Sequence, residues 1–167
     1  MRDTDKKVVV HAMGGPKEYA KFAIVIVSIV AVSLTLERTN FADWMTAFMG
    51  VYLLVFGLLK LADLKMFAHG FSEYDPIAKR FKQYGYMYPF LELGLSIAFL
   101  AVFLPITRNV LVINIFGINA VGVLGHLNDK DKIRCACLGK FVSLPLTTIT
   151  LTEDVLMVLM AAAGLLM

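Results

Sequence analysis

A chain of 167 residues with 59% hydrophobic and only 17% charged side chains is too poor in charge for a soluble domain, where about a quarter of residues are charged. Its mean hydropathy is +0.74 and the apolar residues are gathered in long blocks. The expected fold class is therefore all-α, a polytopic membrane helical bundle with the lipid bilayer as its main partner and no nucleic acid.

Residues 1–21 form an N-terminal segment carrying Arg2, Lys6, Lys7, Lys17 and Lys21, and residues 22–167 the transmembrane bundle. The apolar blocks predict helices at about 22–36, 44–64, 86–104, 110–127 and 151–167. A span needs about 20 apolar residues, and in lipid only a helix satisfies its own backbone groups. The first block is short. It ends in Thr35-Leu36-Glu37-Arg38 with no small-x-small cleavage site after it, so it reads as a retained anchor and not a cleaved signal.

Between the second and third blocks, Phe67, Phe71, Tyr74, Ala78 and Phe81 recur at intervals of three and four and share one helical face. This predicts an amphipathic helix over about 67–82, lying in the interface with its apolar side on lipid. Asp75-Pro76 matches a cap followed by a first-turn proline. Tyr84, Tyr86 and Tyr88 read as an aromatic belt where the chain re-enters the bilayer.

Charge sets the expected orientation. Of 16 Lys and Arg residues, most fall in three segments on alternate sides of five spans: residues 1–21, then Lys65, Lys79, Arg80 and Lys82, then Lys130, Lys132, Arg134 and Lys140. Arg38 and Arg108 stand on the other side. The positive-inside rule puts the first group in the cytoplasm. The N-terminus is then cytoplasmic and the C-terminus extracytoplasmic, in an inner (plasma) membrane.

Ionisable residues inside the blocks draw notice because burying charge in lipid is unfavourable. Lys60 and Asp63 lie on one face near the end of the second block. Lys60 either snorkels to the headgroups or pairs with Glu92 of the third block. His126 closes the fourth block at the same level. Gly117, Gly122 and Gly125, with Asn114 and Asn119, read as helix-packing residues. Thr150-x-x-Glu153 reads as a capping box that would open the last helix, and it accounts for Glu153 and Asp154 in a first turn.

The segment 128–143 carries the chemistry. Its Arg134-Cys135-Ala136-Cys137-Leu138-Gly139-Lys140 holds the only two cysteines of the chain. The flanking cations favour thiolate over thiol. Thiolates exchange disulfides and bind soft metals such as Cu(I). Cys135 and Cys137 are the candidate reactive pair, with Glu92, Lys60, Asp63, His126 and Arg134 in supporting roles; a soft-metal site would use Cys135, Cys137 and His126.

Several strings resemble the MauE/DoxX-like family of small redox-associated membrane proteins. They are Lys60-x-x-Asp63-Leu64, Phe71-x-x-Tyr74-Asp75-x-x-Ala78-Lys79-Arg80, Tyr88-Pro89-x-x-Glu92 and Cys135-Ala136-Cys137-Leu138-Gly139. Leu144-Pro145-x-Thr147-x-x-Thr150-x-x-Glu153-Asp154 continues the last. The resemblance covers about residues 48–167. It implies a four-helix DoxX-like core matching the last four predicted spans, plus one extra N-terminal transmembrane helix. It also implies a part in methylamine utilisation, where MauE is associated with disulfide formation in the small subunit of methylamine dehydrogenase. His11-Ala12-Met13-Gly14-Gly15-Pro16 contains no heavy-metal-associated motif of the kind fused to some relatives.

The leading expectation is a thiol–disulfide or electron-transfer membrane protein, an oxidoreductase if catalytic. A single dithiol on one side of the bilayer needs a quinone or a thioredoxin-like partner to complete its circuit. The alternatives are Cu(I) or Hg(II) handling with a metal-carrier partner, and a non-catalytic assembly role.

Overall fold

The computed structural model describes residues 16–36, 40–125 and 146–166. Among these the chain is all-helical, with seven helices: α1 (Pro16–Leu36), α2 (Phe41–Ala62), α3 (Leu64–Tyr74), α4 (Pro76–Arg80), α5 (Lys82–Leu100), α6 (Pro105–Gly125) and α7 (Leu146–Leu166). Three described helices contain spans long and apolar enough to cross a membrane: Tyr19–Leu36, Phe41–Ala62 and Pro105–Gly125. The first gains the length that the 22–36 block lacked because the helix starts upstream of the apolar run, at Pro16.

Two antiparallel pairs organise the bundle, α2 with α5 and α6 with α7, and α1 leans on α2. In α5 the buried positions Gly85, Tyr88, Glu92, Leu95 and Phe99 step by three and four, so Glu92 sits inside the packing stripe. In α6 the buried Arg108, Val112, Phe116, Asn119 and Val123 do the same. Ser96 Oγ of α5 donates to the Gly50 carbonyl of α2 at 2.8 Å, an interhelical bond of the kind that ties spans together where water is absent. Between α5 and α6, Val102 and Leu104 adopt left-handed backbone, φ 51° and 46°. This conformation is costly for a β-branched valine, and it reverses the chain within a few residues.

The expected interfacial helix is instead two helices folded into the protein. Asp63 breaks the chain after α2 and caps α3 by accepting from the Met66 amide at 3.2 Å. Asp75 then caps α4, accepting from Ile77 N at 2.9 Å and Ala78 N at 2.7 Å, with Pro76 in the first turn as anticipated. The apolar face does not rest on lipid: Phe67, Phe71, Tyr74 and Ala78 are buried, while Phe81, expected on the same face, is 60% exposed. The reason is close approach from two sides. A Cβ at Gly85 would lie 3.2 Å from the Ala68 carbonyl oxygen, and one at Gly122 only 2.6 Å from that of Tyr74. These glycines let α5 and α6 close over α3 and its turn.

Burial pushes the Asp75 carboxyl above the ordinary aspartate range, while the Ala78 and Ile77 amides pull it down. A raised native value favours the protonated form on folding, so this group's contribution is greatest in acid and fades as pH rises through that value. Asp75→Ala is expected to cost about 1 kcal/mol, the usual loss for an N-cap. Asp75→Asn, which keeps an acceptor, should cost less, as denaturant unfolding in detergent would show.

The tyrosine belt is also split. Tyr86 faces outward, Tyr84 is half-buried and Tyr88 is buried in the core.

Candidate functional site

Lys60 comes from the last turn of α2 and Glu92 from the middle of α5. Helix α2 runs antiparallel to α5, and this brings the two side chains together in a buried ion pair between Lys60 Nζ and Glu92 Oε1. Lys60 is 5% exposed and Glu92 1%, so Lys60 does not snorkel to the surface. The ammonium also lies 4.9 Å from the Tyr88 ring centroid and 5.4 Å from that of Phe67, where the ring quadrupole favours a cation. Tyr88 is four residues before Glu92 in the same helix and so stacks beside it on one face.

The aromatic rings of α3 and α5 wall the pair off. Phe71 lies 4.5 Å from Tyr88 and 5.1 Å from Phe67, centroid to centroid, and Tyr74 meets Phe71 edge-on at 5.5 Å. Among the described residues, the second carboxylate oxygen of Glu92 and the Tyr88 hydroxyl are buried without a hydrogen-bond partner. Behind this aromatic wall the Glu92 carboxylate offers an acceptor and Tyr88 a hydroxyl, each with bonding capacity for another group.

Helices α6 and α7 bring a second acid to the same region. Asn119 Nδ2 donates to Asp154 Oδ2 at 2.9 Å, both residues buried, and Asp154 lies within electrostatic reach of the Tyr88 hydroxyl. This corrects the reading of Glu153 and Asp154 as first-turn acids. Helix α7 begins at Leu146, so Asp154 sits beyond its second turn, on the stripe shared with the buried Met157 and Ala161. That spacing of three and seven was the available signal for a core carboxylate. Asn119 bonds across to the facing helix, whereas Asn114 donates back to the Val110 carbonyl of its own helix at 2.8 Å.

Asp63 is not drawn into this cluster; its carboxylate is spent on the α3 cap. Cys135, Cys137, His126 and Arg134 lie outside the described residues, as do segments 1–15 and 128–143. The connection that carries the cysteines leaves α6 after Gly125 and enters α7 at Leu146. It therefore starts and ends at the end of the helix pair nearer the Asn119–Asp154 bond. Among the described residues no group of three or more His, Cys, Asp or Glu side chains is placed to hold a metal ion.

Arg108, expected in an outer loop, is instead in the first turn of α6 and 5% exposed. It lies at the opposite end of that helix from the cysteine connection. The alternation of buried positions along α6 was the clue to its inward face.

Compared with curated proteins, and with solved structures, the chain finds no match. A family model does match residues 38–167, the whole bundle from α2 onward, with α1 lying before it. The buried Lys60–Glu92 pair, its aromatic wall and the cysteine-bearing connection all fall within that span. The chain thus belongs to the family described as methylamine utilisation protein MauE.

Proposed function

We propose that this multi-pass membrane protein supports methylamine utilisation by thiol–disulfide exchange through Cys135 and Cys137. The observation that carries the reading is a juxtaposition by connectivity. The chain's only two cysteines lie on the connection whose flanking helices hold the buried Asn119 and Asp154, in the bundle that also buries the Lys60–Glu92 pair. In this reading the oxidised pair accepts two electrons from a partner dithiol. A partner thiolate attacks one sulfur to give a mixed disulfide, and the partner's second thiolate resolves it. The partner leaves oxidised, and Cys135 and Cys137 leave as thiols. A membrane quinone then takes the two electrons and two protons, becoming a quinol and restoring the disulfide. Glu92, with one oxygen unbonded among the described residues and Tyr88 adjacent, is suited to proton movement, and Arg134 and His126 to favouring thiolate.

The charge distribution supports an inner-membrane location with the N-terminus and the cysteines cytoplasmic. In that orientation the pair does not touch an extracytoplasmic substrate directly, and a thioredoxin-like partner or the quinone links the two sides. A membrane-impermeant maleimide should then spare reduced cysteines in intact cells and label them after permeabilisation.

The direct test is trapping. Cys137→Ser is expected to accumulate a mixed disulfide between Cys135 and its partner, seen on non-reducing gels, and the Cys135→Ser/Cys137→Ser variant to lose methylamine-dependent growth. Wild-type growth of the double variant would leave only an assembly role. Stoichiometric Cu(I) binding lost in Cys135→Ser, with no mixed disulfide, would transfer the pair to metal handling.

A further inference from the structure

At the end of the bundle away from the cysteine connection, a cavity of about 450 Å³ opens where α1 ends, α2 begins and α5 turns into α6. Arg108 lines it. The guanidinium is packed over the Phe99 ring at 4.7 Å, and one Nη donates to the Ala98 carbonyl at 3.3 Å. Its Nε–H is buried with no hydrogen-bond partner among the described residues, and no described carboxylate forms an ion pair with it. A buried guanidinium in this state calls for an acceptor, and a charged one suits it best. Asn109 also lines the cavity, adding an amide beside the guanidinium. Most of the remaining wall is apolar, including Met45, Met49 and Leu100.

Depth narrows the ligand. Helix α6 has 21 residues, so at about 1.5 Å per residue it spans roughly the thickness of the hydrocarbon core. If α6 spans the bilayer, Arg108 in its first turn lies about 5 Å inside the helix end, within reach of the lipid headgroup layer. Leu36 and Val102, both exposed, line the cavity alongside the exposed carboxylate of Asp43. A headgroup oxyanion can reach Arg108 there while its acyl chain follows the apolar wall.

We propose that this cavity seats one bilayer phospholipid, its phosphodiester paired with the Arg108 guanidinium and its acyl chain lying along Met45, Met49 and Leu100. The shared chemistry is an oxyanion, which a free anion could also supply, so the test separates the two. The site is independent of the cysteine reading: it lies at the other end of α6 and uses none of the same residues.

Native mass spectrometry of the full-length detergent-purified protein, titrated with phosphatidylglycerol, should show one tightly retained lipid. An uncharged glycolipid with the same acyl chains should be retained roughly ten-fold less well, the loss expected for a charge-assisted hydrogen bond. Arg108→Met should reduce phospholipid retention to the glycolipid level. Because that variant could misfold, Ala42→Phe, which adds bulk at another lining position and keeps the guanidinium, provides a second measure and should expel the lipid too. Equal retention of the two lipids, or unchanged retention in correctly folded Arg108→Met or Ala42→Phe protein, would overturn the proposal. Displacement of the lipid by millimolar inorganic phosphate would reassign the site to a free anion.

Discussion

Replacing Lys60 by Met is expected to destabilise the protein by about 3–5 kcal/mol, the usual result of leaving a buried charge without its partner. The carboxylate left behind, Glu92, is 1% exposed and has no other hydrogen-bond donor among the described residues. Glu92→Leu removes the carboxylate partner of the ammonium and should cost less, because the Tyr88 and Phe67 rings still favour the cation. The double variant Lys60→Met/Glu92→Leu is the informative one. It should recover most of the stability, because two apolar side chains of similar volume often replace a buried pair at little cost. If stability recovers while methylamine-dependent growth does not, the pair is retained for chemistry and not for folding. Additive losses across the cycle, measured by denaturant unfolding in detergent, would instead mean that the two residues act independently.

Phe71→Ala should cost about 3 kcal/mol or more, the range for removing a large aromatic from a packed interior. Phe71 is 1% exposed, and its ring lies within 4.5 to 6.1 Å, centroid to centroid, of Phe67, Tyr74, Tyr84 and Tyr88. Truncation opens a cavity directly beside the wall of the Lys60–Glu92 pair. Phe81→Ala, a few residues on and 60% exposed, should change stability little. The comparison separates the two possible places for this segment. A helix floating on lipid would make the two substitutions nearly equal, while a helix packed into the bundle makes them differ by several-fold.

The proposed chemistry and the packing share one physical theme, the scarcity of water inside the bundle. Lys60 and Glu92 neutralise one another, Asn119 donates to Asp154, and Ser96 donates to the Gly50 carbonyl. Each helix pair thus carries at least one polar link across its interface. Arg108 of α6 adds a link of its own, donating to the Ala98 carbonyl of α5.

The amino-acid sequence by itself determined that this is a helical membrane protein. Long apolar blocks cannot be covered by 17% charged residues, and in lipid such blocks are helices because nothing else satisfies the backbone. It also determined the Asp75-Pro76 restart, a local cap whose donors and acceptors lie within three residues, and it offered the Lys60–Glu92 pairing as one of two options. Only the tertiary structure decided between them, since the choice depends on how α2 and α5 align along their lengths. It likewise decided that the apolar face of α3 packs inward, that Tyr88 leaves the belt, and that Asp154 and Arg108 are core residues. A stripe of residues three and four apart shows that a helix has an apolar side. It does not show whether lipid or protein covers that side, because to an apolar side chain the two are nearly the same solvent. Only the close approaches at Gly85 and Gly122, set by neighbours far away in the chain, make that distinction.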